Sequence, residues 1–126
     1  MIRPNHILAL GAALAFLSVA LGAFGAHALR DFLLAQNRTD TYQTAVHYQF
    51  FHALALMVTG LMARFFPQLP FQRVAICFIS GILIFSGSLY LLCATGIKWL
   101  GAVTPVGGLA FLTGWALMAG LSLKIK

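Results

Sequence analysis

Four side chains in this sequence have the chemistry and the spacing to build a polar site: His27, Gln49, His52 and Ser88. An imidazole takes or gives a proton, and a primary amide or a hydroxyl both donates and accepts hydrogen bonds. Gln49 and His52 are one helical turn apart and belong to a stripe of Ala45, Gln49, His52, Leu56, Thr59 and Ala63. Tyr48 precedes His52 by one turn. His47 points about 140° away from His52 at ~100° per residue, and is read as snorkelling towards the helix end. Counted from the loop-side end of the apolar stretch near Ala45, His52 lies about eight residues, or ~12 Å, deep. Ser88 lies about as deep in its own segment, so it is the expected hydrogen-bond partner of His52. His27 belongs nearer the same membrane face.

Two uses of these residues follow. Ionisable groups within a membrane are costly and often functional, which points to a small polar site. The other use, and the preferred one, is a satisfied hydrogen-bond seam that fixes helix register. Chemistry of other kinds lacks its parts. No Cys, Asp or Glu completes a metal-ligand set beside the histidines. Cys77 and Cys93 are separated by roughly 24 Å if they share one helix, too far for a disulfide, and read as small buried hydrophobes. There is no G-x-S-x-G, H-E-x-x-H or phosphate loop, and Ser86-Gly87-Ser88 lacks the flanks of a nucleophile elbow. Asp31 and Asp40 read as loop residues, one solvated and one a helix cap. The expectation is therefore no catalytic residue, no metal, no cofactor and no enzyme activity.

The elements that must position these residues are membrane helices. The chain has 126 residues, of which 61% are hydrophobic and 8% charged, with a mean hydropathy of +0.94. A soluble domain carries roughly a quarter charged residues, and so few charges cannot cover this surface in water. A bilayer removes that need, because lipid-facing side chains are apolar. Four apolar stretches, at about 7–29, 45–66, 74–96 and 100–123, each exceed the roughly 18 residues that cross a ~30 Å hydrocarbon core. The fold class is all-α, an integral membrane four-helix bundle forming one domain over residues 1–126. Asp40-Thr-Tyr-Gln43 has the form of a capping box and places the start of the second helix near Thr41. Leu29, Phe32 and Leu33 suit a short interfacial helix in the first loop. Pro67 and Pro70 break the second connection, and Lys98-Trp99 marks an interfacial third turn. Pro105 is placed in the first turn of the last helix, where its missing N–H matters least.

The net charge of +6 is spread over loops and ends and forms no patch, so nucleic acid is not an expected partner. The lipid bilayer is. Arg3, Arg64, Arg73, Lys124 and Lys126 fall on one side and Arg30, Arg38 and Lys98 on the other, which puts both termini in the cytoplasm. Arg3, the apolar run and Ala26-His27-Ala28 also have the outline of a secretory signal. About twenty apolar residues precede that site, longer than the usual 7–15 residue core, so the segment is read as a span.

Small residues allow helix backbones to approach closely in lipid. Gly11, Ala15, Ser18, Gly22 and Gly25 form such a seam on the first helix, with Leu10, Leu14, Leu17, Leu21 and Phe24 beside it. On the third, Cys77, Gly81, Ile84, Ser88, Leu91 and Thr95 are assigned to the interior, and Phe78, Ile82, Phe85, Leu89 and Leu92 to lipid. Gly108 and Gly114 are packing positions on the fourth.

Four motifs occur in order: Gly22-Ala-Phe-Gly-Ala-His-Ala-Leu29; Tyr42-Gln-Thr-Ala-Val-His-Tyr-Gln49 with His52-Ala-Leu-Ala-Leu56; Phe85-Ser-Gly-Ser-Leu-Tyr90; and Leu100-Gly-Ala-Val-Thr-Pro-Val-Gly-Gly108 with Gly114-Trp115. Together they resemble the family called domain of unknown function 423, related to eukaryotic transmembrane protein 256. The resemblance implies a small multi-pass protein, in bacteria one of the inner membrane, and no established activity or cofactor. His27, Tyr48, Gln49, His52, Ser86, Ser88, Thr104 and Pro105 lie within the matching motifs. The expected function is a non-catalytic assembly or accessory subunit. The alternative is a component of a proton or small-solute transporter, built as a homo-oligomer because four short helices enclose little lumen.

Overall fold

Pro4 opens the first helix of the computed structural model, which describes residues 2–125. Proline suits this position because the first helical N–H has no intrahelical partner to lose. Helix α1 runs Pro4–Ala26, α2 Arg30–Ala35, α3 Thr39–Phe65, α4 Phe71–Gly81, α5 Gly87–Thr95 and α6 Leu100–Ser122. A single π-helical turn, Ile82–Ser86, joins α4 to α5, so the two form one continuous span, Phe71–Thr95. Among the described residues there is no strand. Among the same residues four helices are long and apolar enough to cross a membrane: α1, α3, the α4–α5 span and α6.

Helix α3 packs against α1 on one side and the α4–α5 span on the other, and α6 packs against that span. Accordingly α3 and the α4–α5 span carry most of the buried positions, while α1 and α6 are flanks with broad apolar outer faces. The main core joins Ile7, Leu56, Phe71, Val74, Phe78 and Phe111. A smaller cluster of Leu33, Tyr42 and Cys93 lies under the first loop.

The ends are set by local chemistry. Asp40 lies in the first turn of α3 and Arg64 in its last, each favourable to the helix dipole. Arg64 also donates from Nη1 to Asn5 Oδ1 at 2.8 Å, tying the end of α3 to the start of α1. Gly96 ends α5 at φ 72°, a left-handed conformation that glycine adopts without a Cβ penalty, and its N–H reaches the Leu92 carbonyl. Lys126 lies outside the described residues.

Several details differ from the sequence reading. Helix α1 ends at Ala26, and His27–Leu29 form the turn into α2. Within the loop helix, Leu33 is buried, whereas Leu29 and Phe32 are exposed. Helix α3 begins at Thr39, six residues before Ala45, and Asp40 is helical rather than a cap. Its carbonyl accepts from Thr44 Oγ1, and no side chain caps the helix. Pro105 sits in the second turn of α6.

The inner and outer faces of the third span also differ from expectation. Phe78, Ile82, Leu89 and Leu92 are buried, whereas Leu91 is 55% exposed. The reason is complementarity of size. Helix α3 presents Ala45, Ala53, Ala55, Gly60 and Ala63 at its buried positions. Space beside such a small-residue helix is filled by the bulky side chains of its neighbour, since interiors are close-packed. The glycines of α6 act the same way. Gly114 lies against the Phe78 ring and Cys77, and Gly107 against the backbone of Phe85 in the π turn.

Candidate polar site and membrane-facing groove

Each contact between packed spans carries a polar stitch. Gln49 joins three elements: its Nε2 donates to the Leu14 carbonyl of α1 at 3.0 Å, and its Oε1 accepts from Tyr90 Oη of α5 at 2.9 Å. Ser18 donates to the same Leu14 carbonyl at 2.9 Å. Tyr42 donates to the Leu21 carbonyl at 2.7 Å and meets Tyr90 edge-on, with ring centroids 5.6 Å apart. Ser86, in the π turn, donates to the Ala45 carbonyl at 2.8 Å. Ser88 and Thr104 share a 2.7 Å hydrogen bond between α5 and α6.

His52 makes the stitch between α3 and α6. It is the central residue of α3, with thirteen residues on either side (39–51 and 53–65). Phe111 is likewise central in α6, with eleven on either side (100–110 and 112–122). The two rings stack with centroids 3.5 Å apart and planes 14° from parallel. Trp115 Nε1 donates to His52 Nε2 at 3.0 Å, and His52 Nδ1 lies 2.8 Å from the Tyr48 carbonyl. An acceptor at Nε2 requires the ring proton on Nδ1, which then donates to Tyr48. Both nitrogens are thus satisfied by one neutral tautomer.

The four residues expected to meet do not form one site. Ser88 is not the partner of His52. The early start of α3 puts His52 about 20 Å from that helix end instead of ~12 Å. At its level the third span presents Phe78, 5.6 Å away between ring centroids and ten residues, or roughly 15 Å of helix, from Ser88. His27 is exposed at the end of α1, apart from the other three. Gln49 and His52 share the buried face of α3 but bond different neighbours, Gln49 to α1 and α5 and His52 to α6.

Among the packing positions, a Cβ on Gly11 would meet Met57 Cγ at 2.7 Å and the Ala53 carbonyl at 2.9 Å, and one on Gly25 would enter the Tyr42 ring. Gly81 lies against the Phe111 ring. Ser18 is buried and Ala15 half-buried. Gly22 is less tight, with Val46 Cγ1 at 3.4 Å. Gly108 is not a close-approach position. Its Cβ would meet only the Phe85 ring at 3.9 Å, and Gly107, one residue earlier, makes the backbone contact.

Trp115 and Tyr90 complete the site without having been singled out as polar partners. The signal for Trp115 was its place in the chain: tryptophan favours membrane interfaces, and one seven residues inside a helix end needs an acceptor for its indole N–H. Every buried polar side chain of the described residues has a hydrogen-bond partner. No group of three His, Cys, Asp or Glu among them is placed to hold a metal ion, and Cys77 and Cys93 are free thiols. Beside the His52 stitch, a groove of about 550 Å³ opens sideways between α3 and α6, walled by Tyr48, Phe85, Phe111 and Trp115.

Comparison with known proteins gives the chain its relatives. The family described as "Protein of unknown function (DUF423)" matches residues 21–108. A UPF0382 membrane protein of Staphylococcus epidermidis is 39% identical over 115 residues, covering 91% of this chain and 93% of the relative. The UPF0382 membrane protein YwdK of Bacillus subtilis is 40% identical over 116 residues, 91% of this chain and 94% of the relative. The UPF0382 inner membrane protein YgdD of Escherichia coli K12 is 39% identical over 111 residues, 88% of this chain and 84% of the relative. No solved structure matches the chain. With four spanning helices and these relatives, the chain is a membrane protein and belongs to the DUF423 family.

Proposed function

We propose that the protein is a non-enzymatic accessory or assembly subunit of a larger complex in the inner membrane, with both termini in the cytoplasm. The observation that carries this reading is the closure of its polar interior. Ser18, Gln49, His52, Thr59, Ser86, Ser88 and Thr104 are the buried polar residues, and each is bonded to helix backbone or to another side chain. A catalytic group or a solute path needs polar atoms left free for substrate, water or ion. Here they are spent on bonds within and between the helices. The outer faces of α1 and α6, with exposed Phe16, Val19, Leu109 and Leu112, supply apolar surface for lipid and neighbouring helices. The inner-membrane placement follows the Escherichia coli relative, which is named an inner membrane protein, and the orientation follows the distribution of Lys and Arg.

Affinity purification from membranes in mild detergent, with mass spectrometry of the bound proteins and lipids, tests the reading. A stoichiometric protein partner is expected. A homogeneous homo-oligomer carrying a bound solute and no other protein would contradict it and favour transport.

A further inference from the structure

The groove between α3 and α6 differs from the rest of the lipid-facing surface. Its volume of about 550 Å³ falls within the range of small-molecule sites, roughly 300–1,000 Å³. Its walls are aromatic rings packed on one another: Tyr48 stacks on Phe85 with centroids 4.4 Å apart, and Phe111 lies 6.1 Å from Tyr48. Gly108 leaves the floor open, since a Cβ there would meet nothing nearer than the Phe85 ring at 3.9 Å. Leu109 and Leu112, 64% and 66% exposed, form an apolar edge continuous with the lipid-facing side of α6.

Three features define an occupant. The groove reaches His52 and Phe111, the midpoints of their helices, so a ligand must dissolve in hydrocarbon and carry an uncharged head. The aromatic walls suit a planar ring, which stacks offset or edge-on against them. The Tyr48 hydroxyl has no hydrogen-bond partner among the described residues, unlike the phenols of Tyr42 and Tyr90. An unmet hydroxyl in hydrocarbon costs several kcal/mol by transfer scales, so it favours a ligand with an acceptor oxygen. Both His52 nitrogens are already bonded and add no charge to the wall.

We infer that this groove binds a neutral, planar, carbonyl-bearing ring on a hydrocarbon tail, the chemistry of a membrane quinone. The ring lies between Tyr48 and Trp115 over Gly108. A carbonyl oxygen accepts from Tyr48 Oη, and the tail leaves along Leu109 and Leu112. The site is a binding site, independent of whether the protein has a protein partner.

The test uses the full chain in lipid nanodiscs with Trp99→Phe, which leaves Trp115 as the single tryptophan. A decyl-substituted benzoquinone is titrated and Trp115 fluorescence is read. Saturable quenching is expected. Gly108→Phe, which fills the groove, weakens it at least tenfold. Tyr48→Phe keeps the ring, removes the donor and weakens binding about fivefold, the value of one ordinary hydrogen bond. Should Gly108→Phe not fold, the Tyr48→Phe comparison decides. Quenching that rises linearly with quinone, or that saturates identically in the parent and Tyr48→Phe, overturns the proposal. Two further outcomes also overturn it. Quenching by acyl-brominated phospholipid that blocks the quinone effect assigns the groove to an acyl chain. A dimer lost on Gly108→Phe assigns it to a second copy.

Discussion

The indole nitrogen of Trp115 donates a 3.0 Å hydrogen bond to Nε2 of His52, linking α6 to the central residue of α3. That bond fixes the imidazole tautomer, aligns its face on Phe111 and leaves its Nδ1–H for the Tyr48 carbonyl. A histidine at mid-helix thereby becomes a structural fastener.

Removing the donor alone measures the fastener. Trp115→Phe keeps an aromatic ring against Phe78 but leaves His52 Nε2 without a partner, and should lower stability by about 1 kcal/mol. His52→Ala also opens a cavity between Phe78 and Phe111 and should cost roughly 2–3 kcal/mol. His52→Gln should recover part of that loss by restoring a polar partner for the indole. Unfolding of the variants in one detergent checks the order. A Trp115→Phe protein as stable as the parent would mean that the hydrogen bond holds nothing.

Gly60 brings the backbone of α3 close to that of α1. A Cβ there would lie 2.8 Å from Leu8 N and 3.1 Å from Leu8 Cα, main-chain atoms that cannot swing aside. Gly60→Ala should cost about 1–3 kcal/mol through overpacking. Gly120→Ala meets nothing within 4 Å and should change stability by no more than about 1 kcal/mol, in the stabilising direction. Equal effects at the two positions, read from the same unfolding curves, would contradict the packing of α1 on α3.

The fold was legible in the sequence because four long apolar runs have one physical solution in a bilayer. The composition of α3 was legible as well: its alternation of Ala, Gly, Thr and polar residues marks a face that touches helices. Depth was not. The capping-box pattern at residues 40–43 places the helix start near Thr41, close to the observed Thr39, but depth counted from the apolar run at Ala45 leaves that first turn out and so sets His52 level with Ser88. The facing of the third span was hidden for a different reason. Which stripe turns inward depends on the size of residues on α3 and α6, so Phe78 finds room because Gly114 faces it. Trp115 was visible as a residue of the motif, but its partnership with His52 joins positions 63 apart in the chain.

Gln49 and Tyr90 should couple energetically. Gln49→Leu deprives the Leu14 carbonyl of one donor and leaves Tyr90 Oη unpaired, whereas Tyr90→Phe removes that orphan. In a double-mutant cycle the pair should show a coupling of about 0.6 kcal/mol, and up to about 1.7, the range found for polar pairs between membrane helices. Strictly additive losses would mean that the 2.9 Å contact contributes no stability.

Topology reporters test the proposed orientation. A reporter active only in the cytoplasm, fused to the C terminus, should be active, and a periplasmic reporter at the same position silent. The reverse pattern with normal expression would overturn the assignment from Lys and Arg.

The buried polar groups among the four spans form a closed seam. Nitrogen-15 NMR of ring-labelled His52 in lipid bilayers at neutral pH tests it most directly. A single neutral Nδ1–H tautomer is expected, with Nε2 coupled to the Trp115 indole proton and no exchange with water. Mixed or protonated ring states exchanging with water would contradict it and make His52 part of a hydrated path.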